Sequence, residues 1–484
     1  MQVNLYPKEW ILMTEKNKRY YIVTIFLFVL HFSVSAQTSD VILQGEAEDY
    51  KNTELTFYTF SDLITKQEEP LAKTKVDKEG KFTCRLPIED TMQVFLNMGI
   101  YKAYLFVTPG NEYNIKLPPR KDKSKEQKMN PYFQNRSYHI RIENGEKNIL
   151  NTQIYRFLRT YNRIINQNIE LIYNSPHVLD SLANLIDTTH NYNSPYFNQF
   201  KKYKLGDLRI TSTNNEPSNI LEALFAEQDI PYRNTAYMDL FNQTFENYFE
   251  EFYSKYDRSI DRIVNQAGKL ANLDSVLQKA DLLKDHPQLR KLVMLKGLHD
   301  AYYGNNYKKS SIVKLLDRFQ EFSEDDYHKK IAKNIHDKVT RIRVGFEAPD
   351  FCLYDLDSNL VCLDSLQGNY IYLGFCNTDN YTCLRQFKLL NNLYERHKNH
   401  FKIIIIATDE NLEKLKRHVE RNKYKWTILH YGNEPEILKK YNVRTIPSYF
   451  FIVPDGTLSL SPAPTPTEKV EQKIFKEMRK RGDI

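Results

Sequence analysis

Two continuous apolar runs near the end of the chain constrain its fold more than any other feature. They read YIYLGF at 370–375 and FKIIIIAT at 401–408, and a helical pattern follows each run. Unbroken apolar runs of this length are typical of parallel strands that are covered on both faces. Further on, SYFFIVPDGTLSL at 448–460 indicates two strands joined by a Pro-Asp-Gly turn. This alternation of strands and helices predicts an α/β sheet for residues 343–484.

A β-hairpin is predicted ahead of that sheet, at APDFCLYDLDSNLVCL (348–363), with its turn near residues 357–359. Cys352 and Cys362 fall on its two arms. If they stand directly opposite each other, their spacing suits a structural disulfide, whereas an adjacent register makes them diagonal neighbours. The sequence leaves both arrangements open, and the pair is a candidate disulfide.

Residues 37–118 are predicted to form a small β-sandwich. Short runs that are apolar or alternate in polarity are separated by turn signals such as DKEGK and TPGNE. Several short strands at this spacing suggest two packed sheets. Cys84 lies on one of the alternating runs, so we expect its thiol to be packed in the sandwich. The charge-dense segment PPRKDKSKEQK follows, and residues 119–144 are expected to be a linker.

Residues 145–342 are predicted to be helical. Apolar residues recur there at helical spacing, and aromatic residues between 241 and 252 fall on one helix face. An aromatic stripe could line a ligand groove, but core packing is the preferred interpretation because a helix must bury one face. The expected fold class is therefore multidomain α+β, with an N-terminal β-sandwich, a central all-helical region and a C-terminal α/β domain.

The first 36 residues have the organisation of a signal peptide. Basic residues at 16–19 precede an apolar run from 22 to 34, and a small-residue cleavage site follows at Ala36. The run is shorter than the ~20 residues of a membrane span, although an uncleaved signal anchor is the alternative. The residues before Met13 fit a signal peptide poorly, so Met13 is a candidate start. We expect export, with the periplasm of a Gram-negative bacterium as the destination, where disulfides persist.

Composition and motifs exclude several function classes. The net charge of +7 comes from 68 basic and 61 acidic residues without a concentrated basic face, so we expect no nucleic-acid partner. The sequence has no zinc-type Cys/His spacing, no phosphate-binding glycine loop and no nucleophile-elbow serine. We therefore expect no metal and no cofactor. Membrane contact is expected only through an uncleaved signal segment.

The residues from Val344 to Arg481 resemble the TlpA-like branch of the thioredoxin family, whose members are exported thiol-disulfide oxidoreductases. Three features carry the resemblance: the hairpin described above, the strand, loop and helix at YLGFCNTDNYTCLRQF (372–387), and YNVRTIPSYFFIVPDGT (441–457). The last matches the family's tract in which a cis-proline, here Pro447, faces the active site. The resemblance implies a thioredoxin-like fold for residues 343–484.

The resemblance also implies a Cys-x-x-Cys pair at the start of the helix, and here the four positions read Asn380-Tyr381-Thr382-Cys383. In the family, the first cysteine is a thiolate stabilised by the helix N-terminus, and it attacks a substrate disulfide that the second cysteine then resolves. A carboxamide cannot form a mixed disulfide, so Asn380 cannot start that cycle. Asparagine is among the best N-caps, however, and can preserve the helix start. Cys383 occupies the resolving position.

Different functions follow from this degenerate motif. In the first, residues 380–382 with Ile446 and Pro447 form a substrate-facing surface that binds an exported protein or peptide by backbone hydrogen bonds, without catalysis. In the second, the protein is an active thiol-disulfide oxidoreductase that uses Cys383 alone or together with Cys376. A disulfide between these two cysteines requires that their Cα atoms lie within ~7 Å of each other. A weaker third hypothesis is ligand binding by the sandwich and helical domains. The sequence does not decide whether the chain is an enzyme, nor its oligomeric state.

Overall fold

The structure, a computed structural model, describes residues 40–130, 133–144, 149–212, 218–226, 229–432 and 436–484. The signal peptide predicted at 1–36 lies outside these residues. Among the described residues, no helix is both long enough and apolar enough to cross a lipid bilayer. The chain has two N-terminal sheets, a central helical region and a C-terminal α/β domain, so the predicted fold class is confirmed.

The two N-terminal sheets pack face to face as a sandwich. Their strands are β1 (Val41–Glu46), β2 (Glu54–Phe60), β3 (Glu68–Lys75), β4 (Lys81–Leu86), β5 (Met92–Met98), β6 (Tyr101–Val107), β7 (Glu112–Lys116), β8 (Arg136–His139) and β9 (Arg141–Ile142). One sheet has the order β4-β1-β7-β9 and the other β3-β2-β5-β6-β8. Apolar side chains of both sheets, among them Leu43 and Phe57, share one core with the free thiol of Cys84.

Part of the segment predicted as a linker, 119–144, belongs to the sandwich. Strand β8 pairs in parallel with β6, and β9 pairs antiparallel with β7. The chain changes sheets at Ile140, whose side chain is buried in the sandwich core. A charged segment that includes helix α1 (Lys125–Met129) precedes these short strands. Its charges dominated the sequence pattern, so the strands were not predicted.

Strand β3 was also not predicted, because it is mainly polar. It lies at the edge of its sheet, and none of its residues is buried. Pro70 within it cannot donate a ladder hydrogen bond, which an edge position tolerates. The strand therefore forms through its pairing with β2 along its whole length, which is a contact that the local sequence does not reveal.

Helices fill the middle of the chain. They are α2 (Ile149–Gln167), α3 (Ile169–Asn174), α4 (Val178–Thr189), α5 (Pro195–Ser212), α6 (Ser218–Phe225), α7 (Thr235–Thr244), α8 (Tyr248–Lys255), α9 (Ser259–Asn265), α10 (Leu270–Leu277), α11 (Asp281–Lys284), α12 (Pro287–Tyr303), α13 (Lys309–Phe322) and α14 (Asp326–Thr340). Their core also takes in Leu63, Ile64 and Phe106 of the sandwich. The aromatic residues from 241 to 252 are core residues, but they span two helices that are separated at Asn247, which has a left-handed backbone.

The C-terminal domain is built around a sheet of order β14-β13-β12-β15-β16. Its elements are β10 (Cys352–Tyr354), β11 (Leu360–Cys362), β12 (Ile371–Cys376), α15 (Tyr381–His397), β13 (Lys402–Ala407), α16 (Leu412–Asn422), β14 (Thr427–His430), α17 (Glu436–Lys440), β15 (Ser448–Ile452), β16 (Leu458–Ala463) and α18 (Val470–Arg481). Strands β12, β13 and β14 are parallel, whereas β15 and β16 run antiparallel to their neighbours. Every residue of β12 is buried, as its unbroken apolar sequence indicates.

The predicted hairpin precedes this sheet and carries a disulfide. Cys352 and Cys362 are directly opposite partners in β10 and β11, and a disulfide joins them across a Cα–Cα distance of 4.0 Å. The opposite register, rather than the diagonal one, is therefore the one adopted. Ser358 closes the turn with a left-handed backbone.

Candidate functional site

The side chain of Asn380 caps the N-terminus of helix α15. Its Oδ1 accepts hydrogen bonds from the backbone N–H groups of Thr382, at 2.8 Å, and Cys383, at 3.3 Å. This is the N-cap arrangement that the sequence predicted. The other end of the carboxamide was not predicted: Nδ2 donates to the carbonyl oxygen of Ile446 at 3.2 Å. One side chain thus joins the helix start to the loop that faces it.

That loop contains the cis peptide bond between Ile446 and Pro447. Both residues are half-buried, so part of each faces solvent. Tyr381 and Thr382 occupy the exposed side of the first turn of α15, and Tyr381 is 75% exposed. The surface around Asn380 therefore combines an exposed aromatic ring with the backbone groups of a cis-proline loop.

The two free cysteines of this domain lie beneath that surface. Cys376 ends strand β12 and Cys383 lies in the first turn of α15, and both are fully buried, with 0% exposure. The two thiols are neighbours, and each shifts the pKa of the other. The Cys376 sulfur is also 3.5 Å from the Tyr449 hydroxyl oxygen, and the backbone N–H of Asn377 donates to the Cys383 sulfur at 3.3 Å. The structure brings the two sulfurs together without joining them.

The environment separates the acidities of the two thiols. Burial raises the pKa of Cys376 well above its usual value, and the neighbouring Cys383 thiol raises it further. The neighbouring Cys376 thiol lowers the pKa of Cys383, and the N–H of Asn377 lowers it further against the effect of burial. Cys383 is therefore the member of the pair that loses its proton first.

A buried carboxylate, which the sequence did not single out, lies near this pair. Asp409 follows strand β13 and is 3% exposed. Its carboxylate accepts hydrogen bonds from the backbone N–H of Thr378, at 3.0 and 3.2 Å, and from the Thr378 hydroxyl. Burial raises the pKa of Asp409. An acidic residue directly after an unbroken apolar strand was the available signal, since the carboxyl ends of neighbouring parallel strands meet at one edge of the sheet.

This arrangement limits the chemistry of the site. The carboxamide at the helix start has no nucleophilic or acid–base group, and the sulfurs beneath it are closed off from solvent. The exposed groups of residues 380–382, Ile446 and Pro447 can bind a chain segment by hydrogen bonding and apolar contact. Disulfide exchange at Cys383 would require the surface above it to open first.

Comparisons with known proteins concern the C-terminal domain. Residues 344–461 match the sequence model of the AhpC/TSA family. The thiol-disulfide oxidoreductase ResA of Bacillus cereus (strain ATCC 10987 / NRS 248) is 29% identical over 120 residues, which are 25% of this chain and 69% of that protein. ResA of Geobacillus kaustophilus is 28% identical over 127 residues, which are 26% of this chain and 72% of that protein.

Solved structures that resemble the chain cover the same part of it. The thioredoxin domain of a thiol-disulfide oxidoreductase from Bacteroides vulgatus is 22% identical, and the match covers 28% of this chain and 96% of that one with a TM-score of 0.26. A thiol:disulfide interchange protein from Bacteroides sp. is 21% identical, and the match covers 28% and 90% of the two chains with a TM-score of 0.26.

The sheet order, the cis-proline loop opposite the start of α15 and the family match agree with one another. The sequence relatives of the domain are thiol-disulfide oxidoreductases of the ResA type. Residues 344–461 therefore form a thioredoxin-like domain, which is similar to the ResA-type thiol-disulfide oxidoreductases.

Proposed function

We propose that the C-terminal domain binds an extended segment of a partner polypeptide at its cis-proline surface, without thiol-disulfide turnover. One observation carries this proposal: the residue at the position of the expected nucleophile is Asn380, and its carboxamide is engaged with both the helix start and Ile446. The side chain is part of the architecture of the surface, and it offers no group that attacks a disulfide.

The binding mode follows from the hydrogen bond at Ile446. An extended partner segment that pairs with this loop would donate a backbone N–H to the Ile446 carbonyl oxygen, in place of Asn380 Nδ2. One hydrogen bond replaces another, so the net cost of opening the surface is small. Tyr381 beside it offers an exposed aromatic ring, the type of side chain that anchors many protein interfaces.

The partner is proposed to be an exported protein or peptide. The disulfide between Cys352 and Cys362 supports a location in an oxidising compartment, and the predicted signal peptide supports export. The periplasm of a Gram-negative bacterium is the compartment that we propose.

Restoring the missing cysteine tests the proposal. We expect the native protein not to accelerate the reduction of insulin disulfides by dithiothreitol, and the Asn380→Cys variant, which recreates Cys-x-x-Cys, to do so. Asn380→Ser keeps a good N-cap without a sulfur and is the matched control. Turnover by the native protein that Cys383→Ser abolishes would overturn the proposal.

Binding itself is tested with an extended probe peptide, the reduced and carboxymethylated insulin B chain. We expect hydrogen exchange at residues 445–448 to slow when the peptide is added, and Tyr381→Ala to weaken that protection. Leu389→Ala, which removes another exposed apolar side chain of α15, is the control. Protection that is absent, or that Tyr381→Ala and Leu389→Ala reduce equally, contradicts binding at this surface.

A second candidate function is thiol-disulfide exchange by Cys376 and Cys383, and the proximity of the two thiols, whose pKa values shift in opposite directions, favours it. The Cys383 thiolate would attack a substrate disulfide, form a mixed disulfide and release one substrate thiolate, which takes up a proton. Cys376 would then attack the Cys383 sulfur, so that the pair is oxidised to a disulfide and the substrate is fully reduced. This function requires that Cys376→Ser and Cys383→Ser both abolish turnover and that the native protein yields the Cys376–Cys383 disulfide.

A further inference from the structure

A cavity of about 470 Å³ opens between the sandwich and helix α2, and it contains no residue of the C-terminal domain. The deepest of its lining residues, which form its floor, are the buried Leu105, Phe106, Ile140 and Ile154. Its volume falls within the range of small-molecule sites in proteins. Polar and apolar groups contribute about equally to the lining, which favours a ligand that has both an apolar body and a polar head.

The cavity exists because strand β8 is shorter than its neighbour β6. Beyond the end of β8, Asn151 of α2 covers the β6 edge: its Oδ1 accepts from the backbone N–H of Phe106 at 2.8 Å, and its Nδ2 donates to the Phe106 carbonyl oxygen at 2.7 Å. These two bonds hold the first turn of α2 against the sheet. The walls of the cavity are thus fixed by hydrogen bonds, and the cavity is part of the fold.

The rim is cationic. Arg141 of β9 and Arg156 and Arg159 of α2 line it, and no carboxylate does so among the described residues. Within the same part of the chain, none of the three guanidinium groups has a hydrogen-bond or ion-pair partner. His139 and Tyr155, whose rings meet edge to face at 5.9 Å, complete the rim.

We infer that this cavity binds a small amphipathic anion, with its apolar body on the floor and its anionic head between the guanidinium groups. The guanidinium fork matches the oxygens of carboxylates and phosphates, with which it forms charge-assisted hydrogen bonds. The first turn of α2 forms part of the wall, and its helix dipole adds positive potential there. This inference does not depend on the function proposed for the C-terminal domain.

Titration calorimetry of the full chain with three probes of equal chain length tests the ligand class. We expect octanoate or octyl phosphate, or both, to bind with one site per chain, and the tighter of the two identifies the head group. 1-Octanol lacks the charge and should bind about tenfold or more weakly, the loss expected for charge-assisted hydrogen bonds. If neither anion binds, or if 1-octanol binds as tightly as the anions, the inference is wrong.

Variants of α2 test the place of binding. We expect the double variant Arg156→Gln, Arg159→Gln to weaken anion binding by about tenfold or more. Arg163→Gln removes an exposed arginine of the same helix outside the cavity, and it should leave binding unchanged. Thr152→Trp should block the cavity by volume alone. Undiminished binding in a folded double variant, or in folded Thr152→Trp, overturns the inference; if these variants do not fold, the probe comparison on the native chain still decides it.

Discussion

The Nδ2 group of Asn380 donates a hydrogen bond to the carbonyl oxygen of Ile446, 66 residues further along the chain, at 3.2 Å. The same side chain caps helix α15 through its oxygen. Cysteine has neither the donor nor the acceptor geometry to make both contacts. The residue that removes the expected nucleophile therefore also fastens the cis-proline loop to the helix start, which gives the position a structural role of its own.

Two substitutions separate these contacts. We expect Asn380→Ala to lower the free energy of unfolding of the C-terminal domain by about 1–2 kcal/mol, because both the cap and the Ile446 bond are lost. Asn380→Asp keeps the cap but has no N–H to donate to Ile446, so it should lower the free energy of unfolding by less than Asn380→Ala does. Hydrogen exchange of strand β12 measures the domain's stability. Asn392→Ala, at an exposed position within α15, is the control and should leave the free energy of unfolding unchanged. Equal losses of stability for Asn380→Ala and Asn380→Asp would contradict separate contributions from the cap and the Ile446 hydrogen bond.

The helix cap was predictable because it involves the Asn380 side chain and two backbone amides within the next three residues. The hydrogen bond from Asn380 to Ile446 was not predictable, because Ile446 lies far along the chain in the facing loop. The same distinction applies elsewhere. The buried strand β12 followed from its apolar sequence. Strand β3 forms through pairing with the preceding strand β2, and β8 through pairing with the more distant β6, and the polar sequences of both concealed them. The proximity of Cys376 and Cys383 depends on the course of the loop between them, so the sequence left it open.

Burial predicts how the free thiols react. We expect Cys84, Cys376 and Cys383 to resist iodoacetamide in the native protein and to react once it is unfolded, because all three are buried. Burial also raises the pKa of Cys84 to about 11, which keeps it protonated near neutral pH. Peptide mass mapping with and without denaturant identifies each site. Rapid labelling of Cys383 alone in the native protein would show that the surface above it opens readily and would favour the redox function.

The hairpin disulfide should stabilise the C-terminal domain by reducing the conformational entropy of the unfolded chain. Cys352 and Cys362 are separated by 10 positions, and closing a loop of this length contributes at most about 3 kcal/mol in the chain-entropy model. We expect the double variant Cys352→Ala, Cys362→Ala to lose up to this amount, measured by hydrogen exchange of β12. Reduction of the native protein should have an effect of similar size. No change in either experiment would mean that the hairpin opens independently of the sheet.

The buried carboxylate of Asp409 predicts a pH dependence. Burial raises its pKa in the folded state above the unfolded value. The folded protein therefore binds this proton more tightly, and the resulting stabilisation is fully present below the unfolded pKa, which is about 3.9. It is lost as the pH rises through the folded pKa. Above the folded pKa the carboxylate is charged and buried, and it accepts hydrogen bonds from Thr378.

Asp409→Asn removes this titration while keeping an oxygen that can accept from Thr378. We expect the stability of the native domain, relative to the variant, to fall as the pH rises between the two pKa values, with a slope approaching about 1.4 kcal/mol per pH unit. Above the folded pKa the variant should be at least as stable as the native domain, because no charge is buried. Asp357→Asn, at an exposed turn position, is the control for losing one carboxylate and should give no such slope. A difference between native and Asp409→Asn that does not change with pH would mean that Asp409 has the same pKa in the folded and unfolded states.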